Sequence, residues 1–285
     1  MLWVSLLVSI LYSIPVVYSG HNSLLTSEYS WYKRAFAAID KWCILHTTAV
    51  ICHGPYIKQQ LLKMGVRHDL IFEFDVGFQD MLKELTGRQE IVELNDSDEN
   101  IYVLYVGRIE SDKGVFDLLR ACTASLRKDS SLKLVYLGDG SKLKQLQQRV
   151  REIKLTDQVI FLGEVNHETV GLAIRKARIV VTPTQSVFPE ARCMAAMESI
   201  FLGVPVVAPD SGPFPYLVTH GLNGLLFETN SIEALKKAIL SILDDDRLYF
   251  RLCKGAQETS KSLLNPCLTF SQAVERAFSV SAKES

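Results

Sequence analysis

Hydrophobic and polar residues follow two recurring patterns along the chain from residue 101 onward. Short runs of β-branched, aromatic and other apolar residues, as at 101–106, 132–137 and 159–162, predict buried strands. Between these runs, apolar residues at helical spacing, as at 115–126 and 142–153, predict amphipathic helices. Strands that alternate with helices in this way are typical of a parallel sheet covered by helices on both faces. The pattern therefore predicts a doubly wound, Rossmann-like α/β domain.

The alternation continues to the end of the chain, whereas the first hundred residues are organised more loosely. Helical patterns at 29–44 and 56–64 flank a strand pattern at 49–52, which is too little for a full doubly wound domain. We therefore expect a partial Rossmann-like N-terminal domain. The further expected elements are helices at 168–176, 190–202, 231–243, 247–260 and 270–278 and strands at 179–182, 205–208 and 221–227.

A polar and acidic segment without aromatic residues, 86–100, separates the two patterns. Segments of this composition are typical of exposed connectors between domains. We predict a partial N-terminal domain over 1–90, a linker over 91–100 and a C-terminal domain over 101–265. Residues 266–285 are expected to form a helix that returns to the N-terminal domain.

The start of the chain is strongly apolar over residues 2–17, which admits two interpretations. One is a signal peptide or membrane anchor. The other is a buried helix followed by a buried strand at Val16, Val17 and Tyr18, since no Lys or Arg precedes the apolar run and Pro15 interrupts it. The second interpretation is favoured.

Acidic and basic residues nearly balance, with 31 Lys and Arg against 32 Asp and Glu. This argues against a nucleic-acid binder, and an anionic ligand has to be held by local charge. The fractions of hydrophobic and charged residues, 48% and 22%, are those of a folded globular protein. The six cysteines form no CxxC pair, so neither a zinc site nor a redox motif is indicated, and a reducing, cytoplasmic compartment is expected.

Candidate chemistry begins directly after the strand predicted at 101–106. Gly107 and Arg108 follow that strand, and Lys113 and Gly114 precede the next helix. In a doubly wound sheet, ligands bind at the carboxyl ends of the strands, where a helix N-terminus favours anions. Arg108 and Lys113 could therefore converge on a diphosphate, although charged loop residues are more often merely solvated.

Two glutamates separated by seven residues strengthen this interpretation. Glu190 lies where the chain is expected to enter a helix, and Glu198 lies about two turns further along. Because this spacing does not place both on one helical face, Glu190 is assigned to the entering loop. Backbone N–H groups at the helix entrance, near 191–194, could donate to phosphate oxygens.

Glycines punctuate the same region. Gly138 and Gly140 flank Asp139 after a strand, which on its own is a weak phosphate signal and more often a strand-to-helix turn. The run 203–208 is expected to end a helix and begin a buried strand.

Taken together and in order, these motifs resemble glycosyltransferase family 4 (group 1), which has the GT-B fold. The family's pattern of GR, four residues and KG after a strand appears in VGRIESDKG at 106–114. Its glycine loop appears as LGDG at 137–140, and its FxG strand end as FLG at 161–163. Its E-x7-E motif and the following G-x-P-V appear at 190–206.

The resemblance implies roles for the residues that match. Arg108 and Lys113 would hold the donor diphosphate and neutralise the departing nucleotide, in place of a metal ion. Glu190 would contact the donor sugar and Glu198 the ribose. The implied reaction transfers a sugar from a UDP- or GDP-type donor, with retention, to a sugar, glycan or lipid-linked acceptor, without a cofactor.

Further site residues follow from the same resemblance. His21 would reach the donor sugar from the N-terminal domain, although a lone His is more often structural. Backbone groups near Val165 would contact the base. The remaining donor-binding residues are expected to be Gly107, Gly138, Gly140, Ala191, Arg192, Cys193 and Met194.

The sequence also departs from the family pattern. Ala191, Arg192 and Cys193 stand where Gly-Phe-Gly is common, which is expected to reshape the sugar pocket, and Tyr216 stands where Glu commonly follows Pro. The family's first strand and glycine-rich loop are not found upstream. Alternatives are therefore a catalytically silent donor-binding or partner-binding module and, less favoured, a GT-B epimerase or phosphorylase. Peripheral association with a membrane is a further expectation, because residues 2–14 are apolar.

Overall fold

The computed structural model describes residues 16–20, 31–74, 100–188, 190–263 and 268–281. Its strands are β1 (Val17–Gly20), β2 (Ala49–His53), β3 (Ile71–Phe74), β4 (Ile101–Val106), β5 (Leu132–Leu137), β6 (Val159–Gly163), β7 (Ile179–Val181), β8 (Val206–Pro209) and β9 (Gly224–Phe227). Its α-helices are α1 (Trp31–Leu45), α2 (Gly54–Met64), α3 (Val115–Lys128), α4 (Leu143–Glu152), α5 (His167–Lys176), α6 (Met194–Phe201), α7 (Ile232–Leu243), α8 (Asp246–Leu263) and α9 (Phe270–Ser281).

Contacts divide the chain into two compact units. The first unit contains Met1–Gly77, Pro189–Arg192 and Asn265–Ser285, and the second contains Phe78–Phe188 and Cys193–Leu264. The linker predicted at 91–100 lies outside the described residues except for Asn100.

The described part of the first unit is built on three parallel strands in the order β1, β2, β3. Successive side chains of β2 point to opposite faces of this sheet. Val50 and Cys52 pack with residues of α1 and α2 on one face. Ala49 and Ile51 pack with Ala273 and Ala277 of α9 on the other face. The C-terminal helix α9 therefore covers one side of this sheet.

The second unit contains six parallel strands in the order β6, β5, β4, β7, β8, β9. The chain first builds outward from β4 to β6, and then returns to start again at β7 on the other side of β4. This order is that of a doubly wound sheet, whose topological switch point lies between β4 and β7.

Helices cover both faces of the six-stranded sheet, because most residues on either face of its strands are apolar. From β4, Val103 and Tyr105 pack in the cluster that contains α3, α4 and α7. Tyr102 and Leu104 pack in the cluster that contains α5. Helices α6 and α8 pack together on that second side, where they join β8. Strands that are buried on both faces appear in a sequence as continuous apolar runs.

The predicted doubly wound α/β fold is therefore confirmed, with most strands within one or two residues of their expected bounds. The first unit contains one strand, β3, that the hydrophobic pattern did not predict. Its sequence is short and includes the charged Glu73, which pairs with Lys58 of α2 at 3.1 Å. The expected helix or signal segment at 2–15 lies outside the described residues.

Candidate functional site

The switch point of the second unit is the position where the predicted phosphate loop lies. Strand β4 ends at Val106, next to β7, and both strands have their carboxyl ends at the same edge. Connections leave this edge in opposite directions, which opens a crevice above the sheet. The candidate site is therefore described from the loops that follow β4 and β7.

The loop after β4 is fixed by its backbone. Tyr105 donates its hydroxyl to the carbonyl of Arg108 at 2.6 Å, and the amide of Ile109 donates to the carbonyl of Asp139 at 2.8 Å. Gly114 has φ of +70°, and a Cβ there would lie 1.9 Å from the carbonyl oxygen of Pro183. The loops after β4 and β7 can therefore touch only because residue 114 is glycine.

Arg108 and Lys113 converge on one aromatic ring of the second unit. Lys113 lies in a 3-10 turn, Ser111–Lys113, and its Nζ is 3.7 Å from the centroid of the Phe188 ring. The Arg108 guanidinium carbon is 5.3 Å from the same centroid. The structure thus brings together the two cations that the sequence singled out. Their role toward a diphosphate stays a prediction.

The predicted glycine loop Gly138–Gly140 lies beside the loop that carries Arg108. A Cβ on Gly138 would stand 2.1 Å from the carbonyl oxygen of Gly107, and one on Gly140 would stand 2.4 Å from that of Ile109. Both glycines are therefore required for loop packing, which is the structural alternative weighed from the sequence. Contact with a donor remains a prediction for Gly107, Gly138 and Gly140.

A carboxylate ties the loop after β5 to the loop after β4. Glu110 accepts hydrogen bonds from the amide and the hydroxyl of Ser141 at 2.8 and 2.7 Å. These bonds, with a smaller effect of nearby Arg108 and Lys142, hold the pKa of Glu110 below its usual value. Glu110 is therefore an ionised structural link between the two loops.

The helix that carries Glu198 begins later than the sequence pattern predicted. The expected helix at 190–202 is α6, which starts at Met194 with Cys193 as its N-cap residue. Residues 190–192 belong to the first unit, where Ala191 packs against the apolar cluster of α1, α2 and β2. These packing contacts override the helical pattern. The N–H groups of the first helical turn are therefore those of residues 194–196, whereas the sequence predicted that residues 191–194 would supply them.

Glu198 is one of the few buried carboxylates among the described residues, with only 4% of its surface exposed. Burial raises its pKa above the ordinary value, because the charged form loses its water. The electrostatic effect of His167, at the start of α5, acts on the pKa of Glu198 in the opposite direction. A buried carboxylate is an acceptor that a ligand with hydroxyl groups can satisfy.

The other predicted site residues lie in several different segments of the chain. Glu190, Ala191 and Arg192 are grouped with the first unit, where Nη1 of Arg192 lies 3.2 Å from the position that a Cβ would take on Gly54, the first residue of α2. Glu190 is not helical, as its assignment to the entering loop predicted. Val165 is half-buried in the segment between β6 and α5. His21 lies outside the described residues.

Two residues of this region were missed by sequence reasoning about the site. Phe188 lies two residues before Glu190, and an aromatic residue so near the E-x7-E motif could have been considered. His167 gave no signal, because its relation to Glu198 depends on the packing of α5 against α6.

Comparison with known families shows which family the chain belongs to. A family model described as glycosyl transferases group 1 matches residues 88–259, more than half of the chain. The chain belongs to this glycosyltransferase family.

Two glycosyltransferases of other organisms are similar to most of this chain. An uncharacterized glycosyltransferase of Methanocaldococcus jannaschii is 29% identical over 250 residues, which are 87% of this chain and 64% of that protein. Alpha-D-kanosaminyltransferase of Streptomyces kanamyceticus is 25% identical over 261 residues, which are 88% of this chain and 67% of that protein. The chain thus spans about two thirds of the length of these relatives.

A solved structure shows the fold of this glycosyltransferase. Anabaena HepE in complex with UDP-glucose superimposes with a TM-score of 0.74, covers 99% of this chain and 75% of its own, and is 22% identical. At this identity the likeness concerns the fold alone, which is the GT-B fold expected from the motifs.

A metal-ligand cluster and a membrane-spanning helix are both absent from the described parts of the chain. There, no three His, Cys, Asp or Glu side chains come together as a possible metal site. Among the described helices, none has the length and apolar character needed to span a bilayer.

Proposed function

We propose that this chain is a retaining glycosyltransferase that transfers a hexosyl group from a nucleotide sugar to a sugar, glycan or lipid-linked acceptor. The observation that carries the proposal is the convergence of Arg108 and Lys113 on Phe188 at the switch point of a doubly wound sheet. Two cations at the site where such sheets bind ligands favour a dianionic group, and the diphosphate of a nucleotide sugar has this chemistry.

The two cations also suit the chemistry of the transfer. When the bond between the anomeric carbon and the diphosphate oxygen breaks, negative charge accumulates on the leaving diphosphate. Arg108 and Lys113 lower the barrier if they bind that charge more strongly in the transition state than in the ground state. We propose that they take the part that a bound metal ion plays in other transferases, so that no cofactor is needed.

Glu198 and the first turn of α6 complete the proposed nucleotide site. A buried carboxylate accepts strongly from two adjacent hydroxyl groups, and the ribose of a nucleotide presents such a pair. The free N–H groups of 194–196 favour a phosphate oxygen nearby. We propose that Val165 and its neighbours contact the base by their backbone groups.

The sugar end of the donor is assigned to the segment just before α6 and to His21. We propose that Glu190 accepts hydrogen bonds from hydroxyl groups of the donor sugar. Ala191, Arg192 and Cys193 shape the sugar pocket, and His21 reaches the sugar from the N-terminal side. These assignments rest on the resemblance of the E-x7-E motif to that of the family.

A uridine donor is the first choice for testing, because HepE was solved in complex with UDP-glucose. GDP sugars remain the second choice. Retention is a separate proposal, since it depends on the face from which the acceptor attacks. The anomeric configuration of a product made from UDP-glucose is read directly by proton NMR, and an inverted product would refute retention.

The decisive experiment for the diphosphate site compares UDP with uridine by calorimetry. Arg108→Ala and Lys113→Ala are each expected to weaken UDP binding by about 10- to 100-fold, since a charge-assisted contact contributes roughly 1.5–3 kcal/mol. Uridine, which has no phosphate, should bind both variants as it binds the parent protein.

A matched control removes a cation elsewhere in the same unit. Arg175 is an exposed arginine in the last turn of α5. Arg175→Ala should leave the affinity for UDP unchanged. Normal UDP affinity in both site variants would refute the phosphate assignment, and UDP binding without transfer to any acceptor would favour the silent module.

A further inference from the structure

The ring of Phe188 lies near both cations, and none of the motifs described above gives Phe188 a role. Its ring lies 3.7 Å from Nζ of Lys113 and 5.3 Å from the guanidinium carbon of Arg108. Both distances are within the range in which a cation is attracted to the face of an aromatic ring. One side chain therefore contacts both groups that are proposed to bind the diphosphate.

The loop that carries Phe188 is tied to the turn that carries Lys113. The amide of Gln185 donates to the carbonyl of Asp112 at 2.9 Å, one residue before Lys113. The Gln185 side chain donates to Asp117 of α3 at 2.6 Å, and the amide of Phe188 donates to the carbonyl of Gln185 at 3.1 Å. The ring and the Lys113 turn are thus held in one hydrogen-bonded arrangement.

A second attachment of this loop is at Ser186, the residue next to Gln185. Asn230 accepts from the amide of Ser186 at 3.1 Å and donates to the hydroxyl of Ser186 at 2.8 Å. Asn230 itself has φ of +64°, a left-handed conformation that asparagine tolerates better than most residues. The loop that positions Phe188 is therefore attached through the adjacent residues Gln185 and Ser186, to α3 and to the segment before α7.

An aromatic ring orients cations differently from a carboxylate. A carboxylate counter-ion would neutralise one of the two charges and compete with an incoming diphosphate. A neutral ring attracts both cations through its quadrupole and does not itself neutralise their charge. It also limits the side-chain freedom that Lys and Arg would otherwise lose when the ligand binds.

We propose that Phe188 is a positioning residue that prearranges Arg108 and Lys113 for a nucleoside diphosphate. This inference rests on the proposed function, because it deepens the account of the same site. It assigns to Phe188 an effect on the diphosphate part of the ligand, exerted through the two cations and without contact to the nucleoside.

The test measures calorimetric affinities of UDP and uridine for Phe188→Leu and Phe188→Tyr. Leucine keeps an apolar side chain and removes the ring, whereas tyrosine keeps the ring face. Phe188→Leu is expected to weaken UDP binding about 5-fold and to leave uridine unchanged, and Phe188→Tyr should stay within about 2-fold of the parent for both. The exposed neighbour Val187 supplies the control, since Val187→Ala should bind UDP normally.

A double-mutant cycle separates a positioning role from a structural one. If Phe188 acts through the cations, Phe188→Leu should cost less than about 2-fold in a Lys113→Ala background. Melting temperatures of all variants show whether the fold is intact. If the leucine variant unfolds, the tyrosine variant still tests the proposal, because loss of UDP binding by folded Phe188→Tyr would overturn the positioning role.

The outcomes are distinct. Unchanged UDP affinity in folded Phe188→Leu, or an equal loss for UDP and uridine, would overturn the role of Phe188 while the proposed function stands. Failure of the parent protein to bind UDP and GDP would overturn the proposed function, and the positioning role with it. A 5-fold loss confined to UDP and restored by tyrosine would support the positioning role.

Discussion

Glu198→Gln should make the protein more stable and its nucleotide site weaker at the same time. Glu198 is 4% exposed and its pKa is raised, first of all by burial. Glutamine has nearly the same shape and no charge, so the variant is relieved of the desolvation cost. We expect a gain of about 1 kcal/mol at neutral pH, or roughly 2–4 °C in melting temperature for a domain of this size.

The effect of this substitution on stability should depend on pH, with a definite sign. A carboxyl group whose pKa is raised in the native state binds its proton more tightly when folded than when unfolded. Its contribution is therefore favourable at acidic pH and is lost as the pH rises from the ordinary carboxyl pKa of 4.5 through the higher native pKa. The advantage of the glutamine variant should be smallest in acid and largest at neutral pH.

The same substitution should weaken UDP binding about 10- to 100-fold. An ionised carboxylate makes charge-assisted hydrogen bonds of roughly 1.5–3 kcal/mol, whereas the amide offers one neutral oxygen as acceptor. Thermal melts across pH and calorimetry with UDP provide the two measurements. A glutamine variant that is less stable at neutral pH would refute the burial argument, and one with normal UDP affinity would refute the ribose role.

Three further changes test the loops and the sugar end of the site. Gly138→Ala should destabilise the fold by about 3 kcal/mol in urea titrations, because its Cβ would stand 2.1 Å from the carbonyl oxygen of Gly107. Gly212 has open space around it, so Gly212→Ala should cost only about 1 kcal/mol. Equal costs for the two variants would contradict the packing argument. Asn166→Ala removes the 2.8 Å bond that caps α5 at Thr169 and should cost about 1 kcal/mol, which Asn166→Ser should largely restore; an uncapped variant as stable as the parent would contradict this. Glu190→Ala should weaken UDP-glucose binding about 10-fold and leave UDP unchanged in calorimetry, and an equal loss for both ligands would argue against a contact with the sugar.

The second unit could be predicted closely from the sequence because its strands are apolar on both faces. A strand such as β4 is buried between helices on either side, so its apolar run stands out from the polar loops around it. The loop residues Arg108 and Lys113 were found because parallel strands bring their carboxyl ends to one edge. Their convergence on a ring was not foreseen, since Phe188 follows Lys113 by 75 residues and Arg108 by 80, and meets them only in the fold.

The start of α6 could not be predicted because local sequence does not determine it. Residues from Glu190 onward fit a helical pattern, yet 190–192 pack with a unit that is formed mainly by the beginning of the chain. Tertiary packing overrides helix propensity in such a segment. Strand β3 was missed for a related reason, because a four-residue strand with a charged residue has little periodicity to detect.

Hydrogen–deuterium exchange in the presence and absence of UDP tests the central claim most directly, because it reports where the nucleotide binds. The account predicts slower exchange in peptides that cover the loop 107–114 and the first turns of α6, with α7 and α8 unchanged. Protection confined to other parts of the second unit, or no protection at saturating UDP, would contradict a donor site built from Arg108, Lys113 and Glu198.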